Sequence, residues 1–151
     1  FVVCGLALHS KKDYDAAILE FETAIRLDPK NANAFGAKGD VLVDTEKYKE
    51  AAEQFTTAIA IQPGLNRAYI QRGWANYNLG KLGLALADYT RAIKATPSIA
   101  ELYYLRGIVY RDQKKLAQAA ADLRKAIKLD PNYEDAKLEL ALMSKPAKKN
   151  R

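Results

Sequence analysis

The stretch that decides the fold runs from Arg67 to Asn78 and reads RAYIQRGWANYN. Its Tyr69 and Gly73 have counterparts 34 residues before and 34 residues after them. Four series of identical residues follow this interval in one phase, which chance does not explain. They are Gly5, Gly39, Gly73 and Gly107; Pro29, Pro63, Pro97 and Pro131; Ala17, Ala51, Ala85 and Ala119; and Ala24, Ala58, Ala92 and Ala126. The chain is therefore an array of repeated units.

The pattern of each repeat predicts two short helices. In the second repeat, apolar residues recur with a period of about 3.6 from Asn33 to Thr45 and again from Tyr48 to Ile61. The gap between them has room only for an antiparallel turn, and Pro63 then ends the second helix. The same patterning predicts nine helices. The first ends at about Ser10, and the other eight cover about 13–27, 33–45, 48–61, 66–79, 82–95, 99–113, 116–129 and 133–143.

Glycine on the first helix and alanine on the second predict a close approach of two helix backbones, where a larger side chain would overpack the contact. Ser98, with Glu101 three residues later, predicts a capping box at the start of the seventh helix.

These landmarks resemble those of the tetratricopeptide repeat family, whose 34-residue unit carries aromatic, Gly, Ala, aromatic and Pro positions in this order. The resemblance implies an all-α fold, a right-handed superhelical solenoid of antiparallel helix pairs. It implies a single domain at 1–144, with repeats at about 1–31, 32–65, 66–99 and 100–133 and a capping helix at 133–144. Two features depart from the family pattern: Asn76 replaces a large apolar residue, and the usual leucine site before the glycine is changed throughout. That site holds Cys4, Lys38, Arg72 and Arg106.

Composition excludes several classes of protein. The chain is 49% hydrophobic and 28% charged, as in ordinary globular proteins, and no apolar run approaches the roughly 20 residues that span a bilayer. One cysteine allows no internal disulfide, which fits a reducing compartment, and we expect a cytoplasmic location. Four of the six net positive charges lie in residues 145–151, which we expect to form a basic, disordered tail.

The sequence offers no set of catalytic groups, so we expect no enzyme activity, no cofactor and no metal. Its glycines are one repeat apart and form no phosphate loop. His9 is the only histidine. Cys4 falls at a packing position of its helix, which predicts an inert thiol.

The resemblance implies that the first helices of successive units line a concave groove, where a peptide or helix of a partner protein binds. Ile70, Trp74 and Tyr77 lie on one helix face, away from Tyr69 and Gly73. We expect Arg67 and Arg111 to orient the ligand; the other reading of the stripe is ordinary packing against neighbouring units. The expected groove residues are Asn33, Asp40, Arg67, Ile70, Gln71, Trp74, Tyr77, Asn78, Tyr104, Ile108 and Arg111.

One subfamily can be tested on its residues. Its members clamp a chaperone's C-terminal carboxylate with Lys and Asn, then Asn, then Lys and Arg on three consecutive first helices. Aligned from the first repeat, those places hold Val2 and Leu6, then Ala37, then Arg67 and Gln71. Aligned from the second repeat, they hold Gly36 and Asp40, then Gln71, then Glu101 and Leu105. Only Arg67 fits, so we expect no chaperone-tail clamp.

Two other functions stay open. Apolar residues at both ends of the array predict either self-association, including a homo-oligomer, or contact with further repeats; they are Val2, Val3, Leu6, Leu138, Leu140, Leu142 and Met143. A helix that merely fills the end of the groove explains the C-terminal set equally well. Nucleic-acid binding through the basic tail is the weakest alternative, because four charges give only a salt-sensitive attraction.

Overall fold

The computed structural model describes residues 1–144, and these form nine α-helices and no strand. The predicted tail at 145–151 lies outside the described residues. The predicted end of the first helix and both predicted ends of the other eight agree with the structure to within one residue, and three helices agree at both ends. The helices are α1 (Val2–Ser10), α2 (Tyr14–Leu27), α3 (Ala32–Asp44), α4 (Tyr48–Ile61), α5 (Asn66–Asn78), α6 (Leu82–Ala95), α7 (Ala100–Asp112), α8 (Leu116–Leu129) and α9 (Glu134–Ser144).

The first of two compact units spans Phe1–Asp88 and holds α1 to α5 with the start of α6. Within it, α1 packs on α2 and α3 packs on α4, and α2 and α4 each also pack on the following helix. Two buried clusters form its core, one around Phe21 and Val41 and the other around Leu42 and Phe55.

The repeated glycines of this unit face aromatic rings. A Cβ atom built on Gly39 would lie 2.7 Å from Cε1 of Phe55, and one on Gly5 would lie 2.5 Å from Cε1 of Phe21. Both distances are far shorter than a van der Waals contact. The close approach that the sequence predicts therefore exists, but the group that meets the glycine is a phenyl ring and not a backbone.

The second unit begins at Tyr89 and contains the rest of α6 followed by α7, α8 and α9. Here α7 packs on α8, and α8 packs on α9. At the position of the phenyl ring this unit has Leu123, and a Cβ on Gly107 would lie 3.3 Å from its Cγ. The smaller side chain leaves more room, so the same repeat position is less tightly packed than in the first unit.

The cations before the glycines form ion pairs. Arg72 donates two hydrogen bonds to Asp88, at 3.0 and 2.7 Å, and a third to Thr56. In the second unit, Arg106 repeats this arrangement with Asp122, at 2.7 and 2.8 Å. These pairs explain how a basic residue occupies a site where leucine is usual.

The remaining changed sites are Lys38, Asn76 and Cys4. Lys38 pairs with Glu22 at 2.7 Å, and the buried amide of Asn76 donates to Asp88 at 3.5 Å. Cys4 is exposed, so the prediction that it packs inside the repeat is wrong.

Helix starts follow the sequence only in part. Asn31 caps α3 by accepting a hydrogen bond from the Ala34 amide at 3.0 Å, and Asp13 caps α2 in the same way. The predicted capping box at Ser98 is wrong. Helix α7 has Ile99 as its N-cap, without a side-chain bond, so Ser98 lies one residue too early to cap it.

Candidate functional site

A cleft of about 310 Å³ lies on the first-helix side of the first unit, between α1, α3 and α5. Helix α1 contributes Val2 and Leu6. The remaining lining residues are Asn33, Gly36, Ala37, Asp40, Phe55, Leu65, Arg67 and Ala68. The predicted groove residues Asn33, Asp40 and Arg67 are therefore brought to one cavity.

Asp40 is the acidic group of this cleft. Its side chain is only 13% exposed, and its carboxylate accepts hydrogen bonds from Arg67 Nη2 at 2.9 Å and from Gln71 Nε2 at 3.0 Å. Burial raises the pKa of the Asp40 carboxyl above its ordinary value, although Gln71, Arg67 and His9 each oppose the rise. The polar wall of the cleft is thus a desolvated carboxylate, held in place by two side chains of the groove face.

Arg67 differs sharply from its partner. Its side chain is 71% exposed, and the bond to Asp40 leaves most of the guanidinium in contact with solvent. Nearby, His9 Nε2 lies 2.7 Å from Asp44 Oδ2 and joins α1 to α3. The arrangement gives the cleft a fixed carboxylate and a cation that can move.

Trp74 lies about two helical turns beyond Arg67 on α5. Its ring stacks on Tyr77, with centroids 5.7 Å apart and planes 25° apart. Asn78 donates from Nδ2 to the Trp74 carbonyl at 2.9 Å, so this amide serves the end of the helix. Ile70, Trp74 and Tyr77 are all partly buried, in keeping with a shared face.

In the second unit, the corresponding positions are engaged by α9 and the turn before it. The Tyr104 ring lies 5.0 Å from that of Tyr133, at a tilt of 53°. Burial raises the pKa of Tyr133 to about 12, with help from Glu101 and other acidic neighbours, and burial also raises the pKa of Tyr104. Ile108 lies on the same helix, α7, and is partly buried.

Arg111 has two carboxylate partners in this unit. It donates to Asp112 at 2.8 Å and to Glu139 at 2.6 Å, and its side chain is 31% exposed. These hydrogen bonds raise the pKa of the guanidinium further above its ordinary range. Of the two arginines predicted to orient a ligand, Arg111 is thus held by α9, whereas Arg67 is largely solvent-exposed.

The list of expected groove residues left out Val2 and Leu6, although the alignment with the chaperone-clamp positions places both on the first helix. Sequence reasoning also missed Glu139 as the partner of Arg111; opposite charges 28 residues apart on neighbouring first-helix positions were the available signal. Within residues 1–144, no group of three or more His, Cys, Asp and Glu side chains is placed to hold a metal ion. No helix in that range has the length and apolar character needed to cross a membrane.

Solved structures with a similar fold come from several proteins. A crystal structure of MamA is 24% identical, with 92% of this chain and 81% of that chain covered at a TM-score of 0.89. MamA 41-end from Desulfovibrio magneticus RS-1 is 21% identical, with 93% and 79% covered, also at 0.89. The first TPR of Spaghetti (RPAP3), bound to the HSP90 peptide SRMEEVD, is 27% identical, with 78% and 93% covered at 0.73.

These likenesses confirm the predicted all-α tetratricopeptide fold. No curated protein matches the chain. A family model for the tetratricopeptide repeat matches residues 5–66 and 70–134, which is most of the sequence. The 34-residue spacing, the helix pairs with glycine against an aromatic ring, and this match agree, and the chain belongs to the tetratricopeptide repeat family.

Proposed function

We propose that this chain is a non-catalytic scaffold that binds a peptide or helix of a partner protein on the faces of its first helices. The observation that carries the proposal is the cleft of the first unit, where α1, α3 and α5 surround an apolar cavity with Asp40 and Arg67 at its wall. A related protein of 27% identity was solved with a peptide bound, which supports this class of ligand.

The proposed binding residues are those of the groove prediction, and each unit contributes its own. In the first unit they centre on the cleft and on Trp74 and Tyr77, whose large rings are the side chains most enriched at binding hot spots. In the second unit they are Tyr104, Ile108 and Arg111. The proposal further takes residues 1–144 as one domain without a cofactor, located in the cytoplasm.

Selection from a phage-displayed library of random dodecapeptides tests the proposal on the whole chain. We expect selected peptides to bind with affinities that fall at least tenfold in the Trp74→Ala variant, the size expected when a hot-spot ring is truncated. The control is Leu19→Ala on α2, because Leu19 is 64% exposed and does not line the cleft. Peptides that bind Trp74→Ala, Tyr104→Ala and the unmodified chain equally would rule out the groove faces.

A second candidate function is self-association, favoured by large apolar side chains exposed near the two ends of the described residues. Val3 is 81% exposed, and Leu138 and Leu142 are 59% and 51% exposed. If these residues join copies of the chain, light scattering should show a mass that rises with concentration and returns to that of a monomer in Leu138→Glu. A monomer at every concentration would refute this candidate.

A further inference from the structure

The lining of the first unit's cleft is apolar on most of its surface. Val2 and Leu6 form one wall, and Ala37 and Leu65 lie among the residues opposite. The volume of about 310 Å³ is at the lower end of the range for ligand pockets, which suits one or two side chains and not an entire folded element.

The two charged side chains that line the cleft differ in freedom. Asp40 is its carboxylate and Arg67 is its cation, while Asp44 lies outside the lining and pairs with His9. Asp40 is buried and cannot follow a ligand out of the cleft, whereas the mostly exposed Arg67 can swing aside at little cost. A cation that enters the cleft can therefore replace or join Arg67 at the Asp40 carboxylate.

An acidic ligand has no buried partner in this cleft. Arg67, the cation of the lining, is mostly in solvent, and a ligand carboxylate inside the cleft would lie against the buried carboxylate of Asp40. Like charges brought together at an interface cost several kcal/mol and suppress the wrong partner. The bound peptide SRMEEVD of the related structure carries three acidic residues and one arginine, so its net charge is opposite in sign to the charge that Asp40 would attract.

We propose that this cleft takes an apolar side chain of a partner peptide together with an adjacent lysine or arginine, whose cation pairs with Asp40. The inference rests on the proposed function and adds the chemical class of the ligand. It assigns the apolar lining to side-chain burial and Asp40 to recognition of the neighbouring charge.

Gly36 provides a way to close the cleft without disturbing the fold. Leu65 Cδ2, at 3.9 Å, is the one atom that a Cβ on Gly36 would contact within 4 Å outside its own helix, so a longer side chain there extends into the cavity. Glycine is also a poor residue inside a helix, and replacing it favours the helical state. Gly36→Leu should therefore block the cleft while the chain keeps or gains thermal stability.

Gly83 is the matched control for this substitution. It lies in α6, outside the cleft, and nothing approaches its Cβ position within 4 Å. For the charge, Asp40→Asn is compared with Asp15→Asn, which removes the same charge from an exposed site on α2.

The experiment uses the dodecapeptides selected on the unmodified chain and measures their affinity by fluorescence polarisation. We expect them to be enriched in lysine or arginine beside a large apolar residue. Affinity should fall at least tenfold in Gly36→Leu and in Asp40→Asn, and stay within twofold in Gly83→Leu and Asp15→Asn. Melting temperatures of Gly36→Leu and the unmodified chain establish that the loss is one of binding.

The outcomes separate this inference from the function on which it rests. Selected peptides that are acidic, or that bind Gly36→Leu normally while losing affinity for Trp74→Ala, overturn the inference and leave the proposed function standing. Failure to select any peptide, or peptides indifferent to every first-helix variant, overturns both.

Discussion

Arg67 in the first unit and Arg111 in the second occupy predicted groove positions, yet their surroundings differ. Arg67 is 71% exposed and shares one buried carboxylate, whereas Arg111 is 31% exposed and lies between Asp112 and Glu139. The difference arises because Glu139 on α9 supplies a second carboxylate to Arg111 on α7. A repeat position therefore shows which way a side chain points, but the side chains of neighbouring helices decide whether it is available to a ligand.

The largest expected contrast is between a buried ion pair of the second unit, which has a counterpart in Arg72–Asp88 of the first unit, and an exposed pair of the first unit. Removing the carboxylate in Asp122→Ala should destabilise the chain by about 3 kcal/mol, because Arg106 loses both of its bonds to a side chain that is 10% exposed. Glu22→Ala in the first unit should cost less than about 1 kcal/mol, because Glu22 is 50% exposed. Urea unfolding followed by circular dichroism compares the two, and equal losses would contradict the distinction.

The next largest contrast is expected in the cost of replacing the repeated glycines of the two units. Gly39→Ala forces a methyl group against the buried Phe55 ring and should cost about 1–3 kcal/mol. Gly107→Ala meets Leu123 at 3.3 Å, and the gain in helix propensity of about 1 kcal/mol should offset most of the strain. The same unfolding assay measures both, and a Gly107 variant as unstable as the Gly39 variant would show that the leucine site is no looser.

A smaller effect is expected at the two arginines. Glu139→Gln should weaken the attachment of α9 by up to about 1 kcal/mol, because the pair with Arg111 is partly exposed. Hydrogen exchange of the α9 amides should rise in this variant. Arg67→Gln should leave exchange throughout the first unit nearly unchanged, since its side chain is mostly in solvent. Faster exchange in Arg67→Gln would show that Arg67 is structural.

The smallest effect is the dependence of stability on pH that Asp40 contributes in the first unit. Burial raises the folded-state pKa of Asp40 above its ordinary 3.8, so the folded chain binds this proton more tightly than the unfolded chain does. The contribution of Asp40 to stability is therefore greatest at low pH and is lost as the pH rises through the raised pKa. At the same repeat position the second unit has Ile108, which does not titrate.

Asp40→Asn isolates this contribution, because His9, Arg67 and Gln71 still face the site in the variant. The free energy of unfolding of the unmodified chain, relative to that of Asp40→Asn, should increase as the pH falls from about 7 towards about 4. A difference that is constant over this range, or that changes in the opposite sense, would show that burial does not control the carboxyl group.

Most of the fold could be predicted because it depends on periodicity. The bounds of α4, α6 and α8 follow from the spacing of apolar residues and from the prolines that separate the repeats. The cap of α7 could not be predicted from Ser98, because capping depends on which residue first leaves the helical conformation. In the structure this residue is Ile99, whose side chain makes no capping hydrogen bond.

The candidate site was predictable only in part. The sequence identifies the face on which Asp40 and Arg67 lie, since that follows from their repeat positions. It does not show that Asp40 is buried while Arg67 is exposed, or that Glu139 reaches Arg111, because both depend on distances between side chains of different helices. The repeat position thus predicts the helix face on which a side chain lies, and the packing of neighbouring helices determines its ion pairs and its exposure.

The exposed thiol of Cys4 has a practical consequence. The chain has one cysteine and one tryptophan, and both Cys4 and Trp74 belong to the first unit. Cys4 is two residues from both Val2 and Leu6, roughly 200° around α1 from the cleft-lining side, so a dye attached there points away from the cavity. Energy transfer from the indole to that dye can therefore report ligand occupancy or local loosening in real time, without altering a single residue.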